Sequence, residues 1–104
     1  MRWWRRKRGR RGIGYPGVRF DVIGDSIVPR EWGAAGQAGP LAWTARLERS
    51  GEGVDWSLAV AGTLTGEERR SGRAANPYAA GDACKAALRE VIDEHNAFSD
   101  VAGG

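Results

Sequence analysis

Seven cations and two tryptophans crowd the first twelve residues: Arg2, Trp3, Trp4, Arg5, Arg6, Lys7, Arg8, Arg10 and Arg11, with no acid among them. A guanidinium group meets a phosphate through two parallel hydrogen bonds. Each phosphate so neutralised releases counterions, which makes the contact favourable and salt-dependent. Indole rings beside such cations can stack on exposed bases. The same residues also suit an anionic membrane surface, where tryptophan sits at headgroup level and arginine meets the lipid phosphate. Arg69, Arg70 and Arg73 form a second basic group, close before an expected helix. At the far end of that helix Glu90, Asp93 and Glu94 stand beside the one histidine, His95. Glu90 and Glu94 share a helix face, whereas His95 points toward the apolar side, as a residue packed at the edge of a core does.

Three shorter patterns bear on chemistry. Gly24-Asp25-Ser26-Ile27 follows an apolar strand and resembles the nucleophile block of GDSL-type (SGNH) hydrolases. That resemblance implies attack by Ser26, with a later histidine as base. The family places an aspartate three residues before its histidine, where this chain has Ile92. Its glycine and asparagine oxyanion blocks have no counterpart here. The plainer expectation is a turn in which Asp25 and Ser26 bond nearby backbone. Gly12-x-Gly14-x-x-Gly17 fits the dinucleotide pattern in form, but lacks the preceding strand and following helix that make those glycines useful. Gly103-Gly104 matches the end of ubiquitin-like chains, whose folds do not finish in a long helix; a frayed terminus is expected instead. No catalytic residue, metal site or cofactor is assigned.

The totals narrow the field. At 104 residues the chain has room for one core. No apolar run approaches the ~18 residues a membrane span needs, and no signal-type apolar segment follows the basic start. A single cysteine, Cys84, leaves no internal disulfide or cysteine cluster, and a cytoplasmic location is expected. The net charge of +3 hides a split: residues 1–12 carry +7, and the remainder holds nine bases and thirteen acids, or −4. A basic arm on an acidic body is the pattern of a solvated interaction tail.

The elements that must position these groups follow from periodicity. Residues 1–14 lack a period and read as a flexible basic arm, and Tyr15-Pro16-Gly17 as the turn that opens a domain over residues 15–98. Val18, Phe20 and Val22 alternate with Arg19 and Asp21, the mark of a half-buried strand. Residues 30–40, rich in glycine and alanine around Trp32, read as a loop. Leu41, Trp43, Ala45 and Leu47 alternate with polar or small residues, and Val54, Trp56, Leu58 and Val60 do the same after Ser50-Gly51-Glu52-Gly53. That is a β-hairpin with one apolar face. Gly62 is the expected bulge. Residues 65–75 are polar and read as a second loop. Asn76-Pro77 opens a helix to about Asn96, with Ala80, Cys84, Leu88, Val91, Ile92 and His95 on one side. Residues 99–104 are expected to fray.

The expected architecture is therefore α+β: a three-stranded antiparallel sheet in β-β-β-α order, packed on one C-terminal helix. The expected core is Val18, Phe20, Val22, Trp43, Leu47, Trp56, Leu58, Val60, Leu88, Val91 and Ile92. In topology this resembles AP2-type and integrase arm-binding DNA-binding domains, and the C-terminal part of double-stranded-RNA-binding domains. Tyr15-Pro16-Gly17-Val18-Arg19 and Gly62-Thr63-Leu64 echo the AP2 pattern, yet the outward hairpin positions carry only Arg46 as a base. Topology alone carries no function. The leading functional expectation is a non-enzymatic protein whose arm, with Arg69, Arg70 and Arg73, contacts nucleic acid with little sequence preference. The alternative is a small protein-interaction or inhibitor domain, with a mobile element as one source, acting through its acidic helix end or the Trp32 loop. An anionic membrane surface is the third partner considered.

Overall fold

The computed structural model describes residues 12–103, with side chains through residue 98. Five strands follow one another, β1 (Asp21–Ile23), β2 (Glu31–Ala38), β3 (Leu41–Ser50), β4 (Gly53–Thr63) and β5 (Gly66–Ala74), before one helix, α1 (Pro77–Gly103). The sheet is a plain antiparallel meander in the order β1-β2-β3-β4-β5. The class is α+β, but the sheet has five strands rather than the three expected from the sequence.

The central hairpin is as its alternation predicts. Trp43 pairs with Val60 and Leu47 with Trp56 across β3 and β4. Leu41, Trp43, Ala45 and Leu47 are buried on one face, while Ala42, Thr44, Arg46 and Glu48 are exposed on the other. Gly51 makes the turn at φ 64°. The ladder between β4 and β5 shifts register between Ala61 and Thr63. Gly62 sits there at φ 92°, and a Cβ on it would lie 2.6 Å from the Pro40 carbonyl oxygen. The bulge thus demands glycine on two counts.

Two stretches expected to be loops are strands, and each has a packing reason for its unusual composition. In β2 the small residues make room for larger neighbours. A Cβ on Gly36 would stand 2.9 Å from the Trp43 ring, and one on Gly33 would stand 2.7 Å from Ile23. β5 is polar because it is the sheet's outer strand. Its helix-side positions hold Gly72, across which the Trp56 indole lies, and Arg70, which pairs with Glu94 of α1. Trp32 accordingly belongs to a strand and is half-buried.

The expected first strand is also revised. Only Asp21–Ile23 join the sheet. From Ile13 to Phe20 the chain forms a strap along α1 instead, with no turn at Tyr15-Pro16-Gly17. Ile13 is bonded to Asn96, Tyr15 to Asp93, and Phe20 packs beside Gly81. Fifteen helical residues advance about 22 Å, and seven residues of extended chain span about 23–25 Å, so the strap is close to fully extended.

α1 lies over β4 and β5, reaches β3 and does not approach β2. Asn76 caps it, its side-chain Oδ1 accepting the Ala79 N–H at 2.8 Å. The helix continues past Asn96 to Gly103. Leu41, Val54, Val60, Leu88, Val91 and Ile92 are the heart of the core. Val18, Phe20 and Trp56 contribute as half-buried residues. Val22, expected inside, is 39% exposed, because its strand is the short outer one beyond the helix's reach.

Candidate nucleic-acid interface

Arg2, Trp3, Trp4, Arg5, Arg6, Lys7, Arg8, Arg10 and Arg11 lie outside the described residues. The chain that follows them is fixed to the helix. The Ile13 N–H donates to Asn96 Oδ1 at 2.8 Å, and Asn96 Nδ2 donates back to the Ile13 carbonyl at 3.0 Å. Further along the strap the Tyr15 hydroxyl donates to Asp93 at 2.6 Å, and Arg89 lies over the Tyr15 ring. That hydrogen bond raises the phenol's pKa above its ordinary value, with desolvation adding to it.

The three body arginines expected to assist the arm do not form one surface. Strand alternation sends Arg69 and Arg73 to the open side of the sheet and Arg70 to the helix side. Each has an acidic partner. Arg69 pairs with Glu67 at 3.2 Å, and Arg70 bridges Glu68 at 2.8 Å and Glu94 at 3.2 Å. Arg73 meets Asp55 directly across the ladder at 2.8 Å and also donates to the Ser50 carbonyl. The hydrogen bond from Arg70, with a second from Thr65, holds the Glu68 carboxyl below its usual range. Binding phosphate here would first mean surrendering these carboxylates. The signal for β5 was in the sequence: Glu67-x-Arg69 and Glu68-x-Arg70 pair at a spacing of two, which suits a strand.

The open face of the sheet is lined by small side chains. Ala35, Thr44, Ser57, Ala59 and Ser71 floor a shallow depression of about 950 Å³. Arg46 crosses part of it to bond Glu31 at 2.8 Å. On the other side, an apolar groove of about 450 Å³ runs between the β4–β5 turn and the end of α1. Leu64 and Phe98 flank it, each 54% exposed, and Glu94 and His95 border it. The buried Nδ1 of His95 has no hydrogen-bond partner among the described residues.

The remaining candidates resolve locally. Asp25 Oδ1 accepts the Ile27 N–H at 2.9 Å, closing the turn that carries Ser26. Glu94 and Asp93 are engaged by Arg70 and Tyr15, and the described residues contain no cluster of three or more metal-ligating side chains. Cys84 is buried on the helix stripe, and burial pushes its thiol up to about 11. Among the described residues no helix is long and apolar enough to cross a membrane. No protein-family model, curated protein or solved structure matches the chain.

Proposed function

We propose that the chain is a non-enzymatic binding protein that contacts nucleic acid through its N-terminal arm, chiefly at phosphates. The observation that carries this reading is the charge split: +7 over residues 1–12 against −4 over the rest. The pairing of Arg69, Arg70 and Arg73 with carboxylates narrows it, because these residues are neutralised within the body and the arm acts without them. The pair of hydrogen bonds between Ile13 and Asn96 supports it, since it ties the arm's root to the folded body. Contacts to phosphate position a protein without reading sequence, so base preference is weak. Such a partner is met in the cytoplasm.

The test is titration of labelled single- and double-stranded oligonucleotides over a range of salt. Seven phosphate contacts on duplex DNA give a slope of log K against log salt of about −6. A slope near zero, or tight binding unaffected by substituting the arm cations with glutamine, rejects the reading. A protein partner is the second reading. The apolar groove flanked by Leu64 and Phe98 favours it, because two large exposed side chains beside an apolar groove suit an apolar segment of a partner. Binding that survives arm neutralisation and fails in Phe98→Asp would select it. Co-sedimentation with anionic vesicles, without oligonucleotide binding, would move the arm to a membrane surface.

A further inference from the structure

The two edges of the sheet are not protected alike. On its outer side β2 is paired by β1 only over Glu31, Trp32 and Gly33. From Ala34 to Ala38 no described strand continues that ladder. This stretch reads Ala-Ala-Gly-Gln-Ala, without charge or proline, and its middle three residues are exposed. The opposite edge, β5, carries Glu67, Glu68, Arg69, Arg70 and Arg73. Charged side chains are a common means of keeping an edge from pairing; β5 has them and the Ala34–Ala38 stretch has none. On the core side of this edge Gly36 leaves room for the Trp43 ring, which is 3% exposed and whose Nε1 lies 3.4 Å from the Gly36 Cβ position.

We propose that the Ala34–Ala38 edge of β2 pairs with the same edge of a second copy of this chain, antiparallel about a twofold axis at Gly36. The segment is its own complement in that register. Ala34 faces the partner's Ala38, Ala35 faces the partner's Gln37, and the two Gly36 residues meet at the axis. Within the paired segment no like charges meet and no bulky side chains face one another, whereas β5 set against itself would leave its paired charges to be rearranged. The ladder offers roughly four to six backbone hydrogen bonds. It is smaller than the ~1,200 Å² of a standard stable interface, so the dimer is weak and forms with rising concentration. This proposal stands independently of nucleic-acid binding.

A register-specific cross-link tests it. Ala35 and Gln37 are exposed on the open face, so cysteine at either leaves the core intact, and native Cys84 is 1% exposed. In this register residue 35 faces the partner's residue 37 within disulfide reach, whereas 35–35 and 37–37 are diagonals at about 7–8 Å, too far to bridge. Mixing full-length Ala35→Cys with full-length Gln37→Cys under mild oxidation should give the mixed 35–37 dimer several-fold above either same-site dimer. The native chain should show concentration-dependent sedimentation that is lost in Ala35→Lys/Gln37→Lys. Monomeric sedimentation at every concentration, cross-links in the statistical one-two-one ratio, or a lysine variant that still dimerises would each overturn the proposal.

Discussion

One face of this sheet is covered in two different ways. Over β4 and β5 the cover is α1, whose Cys84, Leu88, Val91 and Ile92 are all but fully buried. Over β2, which the helix does not approach, the nearest cover is the strap from Ile13 to Phe20. The strap half-buries Ile13, Pro16, Val18 and Phe20, and the N–H and carbonyl of Ile13 are both held by Asn96. The helix satisfies its own backbone and can commit a whole stripe of side chains to the core. An extended strap has no internal hydrogen bonds and must borrow partners from its neighbour. The stable half of the core is therefore the helical half. The strap is the element whose loosening would be felt by the basic arm joined to it.

Breaking the two covers separately should show unequal costs. Ile92→Ala removes a fully buried side chain beneath the helix and should cost about 2–5 kcal/mol in chemical denaturation. The helical half should also show in alkaline titration. Burial raises Cys84 from the ordinary thiol value of 9.0 to about 11. The unfolded chain therefore loses this proton first, and the stability is intact below pH 9. It should then fall by about 2–3 kcal/mol as pH rises from 9 through 11. Alkylation of native Cys84 at neutral pH should be correspondingly slow. In the strap, Phe20→Ala removes a half-buried ring and should cost roughly 1–3 kcal/mol. Asn96→Ala deletes both hydrogen bonds to Ile13 and should cost about 1–2 kcal/mol. Its sharper signature is faster amide hydrogen exchange at Ile13, with the helix core unchanged.

The elements legible in the sequence are those where one physical demand dominates. Trp43 to Leu47 and Val54 to Val60 had only to bury one face, and their period of two is clean. Asn76-Pro77 announces a helix start for the same reason. β2 was hidden because Gly33 and Gly36 serve the side chains of Ile23 and Trp43 lying across them, and glycine reads as a loop. β5 was hidden because an outer strand, polar on both faces, shows no hydrophobic period. The strap alternates as a strand does, yet spends its alternation on a helix. At the candidate interface the charge of the arm was plain from composition. The local pairs Glu67–Arg69 and Glu68–Arg70 could be read from their spacing once β5 is a strand, but Arg73–Asp55 and Arg70–Glu94 could not, because those partners are distant in sequence and meet only through the meander and the returning helix.

The central claim is that the charge of the arm, and not the paired charge of β5, engages nucleic acid. Its most direct test is the salt slope of oligonucleotide binding in three full-length proteins: native, the seven arm cations changed to glutamine, and Arg69→Gln/Arg73→Gln. The slope should be about −6 for the native chain and the β5 variant alike, and near zero for the arm variant. A β5 variant that loses the slope while the arm variant keeps it would contradict the account.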